Sequence, residues 1–357
     1  MQNGVPRILL IRLSAIGDVV RVLPALHALR DAHPHAQIDW AVEPKSAAIV
    51  QDHPCVDNTL IFARGEEGVF DNARSFRTFC KLIREQRYDI AIDFHGTLKS
   101  GLILKASRAE KRLAFAPPRS REMSHLFANE KVALISQQMN RIEENLELIK
   151  PLGAKRHTLD VTLFVPEDVQ EGVDHYLFET FHSAKLLAVL HAPVDRAEKQ
   201  WPLSHFAALS DLLLADGRFD VLLTYGPGQQ EVAEKVHYQC RRKPIIAPLA
   251  PDLKHFMWLV HRADIFFGCD TGPMHIASAM NVPVAAVFGG TSPAKHAPLR
   301  PPFEMLYAGP DPYPEHGLSL EEARECLKKV SPEQAYAACV RLVRGNQGIT
   351  PLPDSSL

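Results

Sequence analysis

The sequence has no excess of charge of either sign. Its 357 residues carry 40 Lys and Arg against 42 Asp and Glu, a formal charge of −2, so no global field selects nucleic acid as a partner. It has no C-x-x-C pair. The six cysteines, at 55, 80, 240, 269, 326 and 339, are scattered in apolar contexts and read as reduced core residues of a cytoplasmic protein. No stretch approaches the roughly 20 apolar residues of a membrane span. The short run Ile8–Ile11 stops at Arg12, so the start shows no signal-peptide pattern. Internal repeats and low-complexity segments are lacking, and so is the G-x-G-x-x-G dinucleotide fingerprint.

The sequence does contain a repeated alternation. Hydrophobic residues make up 46% and charged residues 23%, a soluble globular composition, and the length suggests two domains. In the first half, Ile8–Ile11, Ile38–Val42, Asn58–Phe62 and Tyr88–Phe94 read as strands. In the second, Leu186–Leu190, Val221–Tyr225, Ile265–Phe267 and Val284–Phe288 do so. Most lead through a polar or glycine-bearing turn into a segment of helical spacing. Two α/β domains with doubly wound sheets follow from this, with ligands expected beyond the carboxyl ends of the strands. The expected division is 1–165, 166–330, a closing helix over 331–345 that packs back on the first domain, and a frayed tail over 346–357.

Several strand ends carry polar groups that admit two readings. Asp18, after Gly17, is either a helix cap or a carboxylate available as a general base. His95 and Lys99 are either a hydrogen-bonded turn residue and a solvated helix charge, or ligand contacts. Residues 60–125 hold thirteen Lys or Arg against eight Asp or Glu. The cluster Arg108, Lys111, Arg112, Arg119 and Arg121 around Pro117-Pro118 is either a solvated surface or a basic loop suited to an anionic acceptor or acidic membrane. Arg196 and Lys199 supply cations for phosphates. Gly226-Pro227-Gly228-Gln229-Gln230-Glu231 is a turn able to hold a nucleoside. Phe266–Met280 reads as a strand, a turn and a helix. Asp270 and Thr271 stand at its N-cap and Gly272-Pro273 in its first turn, a place for a phosphate or sugar hydroxyls, or simply a capped helix. His275 is a packed helix residue or a ligand.

Taken in order, Ser14-Ala15-Ile16-Gly17-Asp18-Val19, Leu23-Pro24-Ala25-Leu26, Asp93-Phe94-His95-Gly96 with Lys99-Ser100, Arg121 near Leu126-Phe127, Lys199-Gln200-Trp201-Pro202, Asp270-Thr271-Gly272-Pro273-Met274-His275 and Gly289-Gly290-Thr291-Ser292-Pro293 resemble glycosyltransferase family 9. These are the ADP-heptose:lipopolysaccharide heptosyltransferases, and the resemblance is greatest to the heptosyltransferase I branch. It spans about residues 6–345. It implies a GT-B fold, two Rossmann-like domains facing across a cleft, with acceptor bound by the first and nucleotide-sugar by the second.

The resemblance further implies inverting transfer of heptose from ADP-L-glycero-D-manno-heptose to the Kdo–lipid A inner core, without metal or other cofactor. Asp18 would be the base. Lys199, Asp270, Thr271, Gly272, His275, Arg196, Gln229, Gln230 and Glu231 would serve the donor, and Arg121, Arg119, Lys99 and His95 the anionic glycolipid acceptor. The expected place is the cytoplasm, peripheral to the inner membrane. The alternatives are a family member using another nucleotide-sugar for a different surface polysaccharide, a nucleotide-sugar epimerase, and a non-catalytic nucleotide-sugar sensor.

Overall fold

The computed structural model describes residues 5–63, 69–155, 159, 161, 163–182 and 184–346; the expected tail from 347 onward lies outside them. The chain divides into two compact units, Met1–Phe164 and Val165–Leu357.

The first unit runs β1 (Arg7–Ile11), α1 (Ile16–Val20), α2 (Leu23–Ala32), β2 (Gln37–Val42), α3 (Pro44–Ala47), β3 (Asn58–Ile61), α4 (Val69–Glu85), β4 (Ile90–Asp93), α5 (Leu98–Ala106), β5 (Lys111–Phe115), β6 (Glu130–Val132) and α6 (Arg141–Ile149). Its sheet has the order β3-β2-β1-β4-β5-β6, with parallel pairing throughout. Ile8, Leu9, Leu10 and Ile11 are wholly buried, as expected of a central parallel strand covered by helices on both faces.

The second unit runs α7 (Glu167–Thr180), β7 (Leu186–His191), α8 (Leu203–Asp216), β8 (Phe219–Thr224), α9 (Gln230–Gln239), β9 (Ile245–Ile246), α10 (Leu253–His261), β10 (Ile265–Cys269), α11 (Gly272–Ala279), β11 (Val284–Val287), α12 (Pro293–His296), β12 (Phe303–Leu306), α13 (Leu320–Lys329) and α14 (Pro332–Asn346). Its sheet, β12-β11-β10-β7-β8-β9, is also parallel and repeats the topology of the first. Its core gathers Trp201, Phe206, Phe219 and Phe267.

The pattern of apolar runs does not foretell β5, β6, β9 or β12. β5 begins with two cations, and β12 is only half-buried along its length. Leu159–Val165 also reads as strand-like in the sequence, yet it forms no strand at its described positions, and 160 and 162 lie outside them. The closing helix also differs from expectation. α14 belongs to the second unit, where it packs on α8 and on β10, β11 and β12. Its Ala335, Ala338 and Cys339 join that unit's core.

Candidate functional site

In a doubly wound sheet the ligand-binding crevice opens where the strand order reverses. That point lies between β1 and β4 in the first unit and between β7 and β10 in the second. Both strand pairs end in polar residues.

In the first unit, Asp18 lies inside the first turn of α1, and the N-cap is Ala15. The capping reading therefore fails. The carboxylate instead receives one guanidinium on each oxygen: Arg12 on Oδ2 and Arg21 on Oδ1. Both arginines are buried, at 7% and 5% exposure, while a third of the Asp18 side chain stays open. Arg12 stands at the end of β1 and also donates to the Phe94 carbonyl after β4 at 2.7 Å, bridging the reversal point. Burial pulls its guanidinium pKa down against the attraction of Asp18. An anion this confined is fixed in direction.

The loop after β4 is shaped by Asp93. This wholly buried carboxylate accepts the N–H groups of His95 (2.9 Å) and Gly96 (3.0 Å) and the Ser100 hydroxyl (2.9 Å). Burial raises its pKa, and those donors oppose the shift. His95 is held down to about 3 by burial and by neighbouring Arg12, so at neutral pH it presents an uncharged imidazole. Lys99 is not a free cation: it pairs with Glu43 at the end of β2. Arg119 donates to the buried Glu144 at 2.6 Å and lies over the Phe115 ring. Arg112 holds the Phe127 and Ala109 carbonyls. Arg121 is exposed, and its side chain has no partner among the described residues.

In the second unit, Asp270 follows β10 and is buried at 3% exposure. Its Oδ2 accepts Lys199 Nζ and the Thr291 hydroxyl, each at 2.7 Å, and its Oδ1 lies 3.6 Å from Nε2 of the buried His275. Burial alone would raise its pKa. His275 and Lys199 prevail and hold it well below the usual carboxylate range. Asp270 is thus an internal hub whose carboxylate oxygens are already engaged. Lys199 spends two donors on it, the second on the Asp270 carbonyl at 2.9 Å, and an ammonium has a third.

The open edge beside this hub is Thr271, Gly272 and Pro273, each half-buried. Thr271 occupies the N-cap of α11 but makes no side-chain cap; its hydroxyl donates to the Cys269 carbonyl. Pro273 has no N–H, so the first-turn amides here are those of Gly272 and Met274.

Other candidates are placed differently. Arg196 pairs with Glu198 and is largely exposed. Gln229 closes its own turn, accepting Gly226 N–H at 3.2 Å and donating to Asp195 at 3.2 Å. Gln230 and Glu231 bond along their own helix to Glu234 and Lys235. The sequence reading missed Arg12, Arg21, Glu43 and Thr291. Arg12 and Glu43 each stand just past the carboxyl end of a strand, Thr291 lies in the loop after β11, and Arg21 caps the end of α1. One further group has ligand chemistry: His27, His53 and Cys55 bring their ligand atoms within 4.8 Å of one another. There the Cys55 N–H donates to His53 Nδ1 at 3.1 Å, occupying that nitrogen's lone pair.

The turn bearing Lys199 is held by the loop after β11. Gly290 N–H donates to the Glu198 carbonyl at 3.0 Å, and a Cβ at Gly290 would meet Glu198 Cγ at 2.4 Å and that carbonyl at 3.0 Å. Gly290→Ala is expected to lower stability by about 1–3 kcal/mol, read from the urea midpoint; an unchanged midpoint would show that the loop gives way freely.

A family model described as "Glycosyltransferase family 9 (heptosyltransferase)" matches residues 76–322. The chain is 22% identical to lipopolysaccharide heptosyltransferase 3 of Escherichia coli K12, over 92% of this chain and 95% of that one. It is 27% identical to lipopolysaccharide heptosyltransferase 1 of Pseudomonas aeruginosa, over 80% and 79%. The solved structure of E. coli heptosyltransferase WaaC with ADP matches 94% of this chain and 99% of its own, at 25% identity and a TM-score of 0.66.

Proposed function

Since the chain belongs to glycosyltransferase family 9 and is a glycosyltransferase of GT-B fold, we propose that it transfers L-glycero-D-manno-heptose from its ADP conjugate to the Kdo-bearing inner core of lipid A, with inversion and without a metal. The observation that carries this reading is the second unit's hub. Lys199, Asp270, His275 and Thr291 surround an uncapped helix start at the strand reversal, which suits a diphosphate. That a relative in this family is solved with ADP supports the same choice of nucleotide.

The step is a single displacement. The acceptor hydroxyl oxygen bonds to the anomeric carbon, and its proton passes to the Asp18 carboxylate. The bond from the anomeric carbon to the diphosphate oxygen breaks, and ADP departs with the electron pair. The remaining Lys199 N–H and the amides of α11 meet the charge that develops on the leaving oxygen. Arg12 and Arg21 aim Asp18. Asp270 and His275 act through Lys199 rather than on the sugar. Arg121 and the neutral His95 face an anionic, lipid-anchored acceptor. The place of work is the cytoplasm, at the membrane that carries this lipid.

Thermal shift across nucleotides tests the donor half. ADP at a hundredfold excess over its Kd should stabilise the protein by about 2.7 kcal/mol and UDP should not; stabilisation by UDP alone would favour another nucleotide-sugar. Release of ADP only when a Kdo–lipid A acceptor is added would separate transfer from epimerisation and from mere sensing.

A further inference from the structure

The first unit carries an apolar surface that the proposed chemistry does not use. Leu98 and Leu102 are exposed one turn apart on α5. Met123 and Leu126, on and beside the 3₁₀ turn Ser124–Phe127, expose 65% and 60% of their area. The two elements are locked together. A Cβ at Gly101 would stand 2.6 Å from Phe127 Cδ2 and 3.1 Å from the Ser124 backbone, so only glycine allows so close an approach. The Glu122 carboxylate accepts the Leu98 N–H at 2.9 Å. The four exposed side chains are therefore carried on two elements fixed against each other.

Cations surround it. Lys105 lies on the same face of α5, seven positions after Leu98, with its ammonium 5.6 Å from the centre of the Phe127 ring. Arg108, just past the helix, and Arg121 are exposed. Residues 98–131 hold eight Lys or Arg against three Asp or Glu, and two of the eight, Lys99 and Arg119, pair with Glu43 and Glu144 outside that stretch. Of the three acids, Glu122 is engaged at the helix start and Glu130 lies 3.9 Å from Lys111. An apolar centre with a basic rim matches a surface that is itself apolar beneath a layer of negative charge.

We propose that this patch docks the first unit on an anionic lipid bilayer. Met123 and Leu126 enter the headgroup boundary while Lys105 and Arg108 meet lipid phosphates. The inference deepens the proposed function, since a lipid-anchored acceptor gives the docking its purpose, but membrane binding can be measured without turnover.

The full chain is sedimented with vesicles of phosphatidylcholine alone and of phosphatidylcholine mixed with phosphatidylglycerol. Binding to the mixed vesicles is expected, weakening as salt screens the cations. The double variant Met123→Ser, Leu126→Ser and the pair Lys105→Glu, Arg108→Glu should each reduce it about tenfold or more, with unchanged melting temperatures showing that both fold. Equal sedimentation of wild type and variants, equal binding to both vesicle types, or no binding to either would overturn the proposal. Turnover separates the two readings. The serine variant should lose turnover of acceptor embedded in mixed vesicles and keep that of a delipidated acceptor. If wild type binds vesicles but turns over neither acceptor, the proposed function falls and the docking surface stands.

Discussion

Asp18→Asn is expected to lower kcat for acceptor-dependent ADP release by about 10²–10⁴-fold, the range lost when a positioned base is removed. Asparagine keeps the size of the side chain, and its carbonyl oxygen can still accept from one of the two guanidiniums that now clasp the carboxylate. Its amide nitrogen has no lone pair to take a proton. Because the donor hub lies on other elements, in the second unit, the Kd for ADP should stay within a few-fold of wild type. The loss should therefore fall on kcat rather than on donor binding. A competing account makes Asp18 only the counter-ion that lets Arg12 and Arg21 stay buried. On that account the variant loses melting temperature in proportion to activity, and Asp18→Glu does no better. A kcat near wild type would remove Asp18 from the chemistry altogether.

The fold was legible wherever a strand was buried on both faces. Leu9, Leu190 and Phe267 sit in runs that water cannot reach, and such runs announce a parallel sheet. β5 was hidden because Lys111 and Arg112 open it at the sheet's exposed end, so its cations read as part of a basic loop. β12 was hidden because it lies at the sheet edge, half-buried throughout.

The strand ends that matter were legible, but side-chain commitments were not. Nothing local says that Lys99 will be claimed by Glu43, fifty-six positions earlier, or Arg119 by Glu144. Both are long-range ion pairs fixed by the sheet order. Asp18 was hidden for a different reason, since its partners Arg12 and Arg21 are only six and three positions away. A carboxylate three residues after Ala15 looks like a cap until folding brings Arg12 and Arg21 to it.

Asp270→Asn should be the most destabilising single change at the donor hub. It keeps the shape but removes the negative charge against which Lys199 and His275 are packed. Breaking one partner of a buried pair leaves the other charge uncompensated and costs about 3–5 kcal/mol. At about 2–4 °C per kcal/mol for a unit of this size, the melting temperature should fall by roughly 10 °C. ADP binding should weaken as well, because Lys199 loses the carboxylate that sets its direction.

The pH dependence distinguishes this charge effect from lost packing. The folded Asp270 pKa is held well below the usual carboxylate range by His275 and Lys199 against the opposing effect of burial. Its contribution is therefore complete above the unfolded pKa of about 3.9 and declines as pH falls from there through the folded value. The gap in melting temperature between wild type and Asp270→Asn should be constant from neutral pH down to about 5 and should narrow below about 4. A gap that stays the same into strong acid would mean that the loss does not come from the Asp270 charge, and no gap at any pH would mean that Lys199 finds its place at the start of α11 without it.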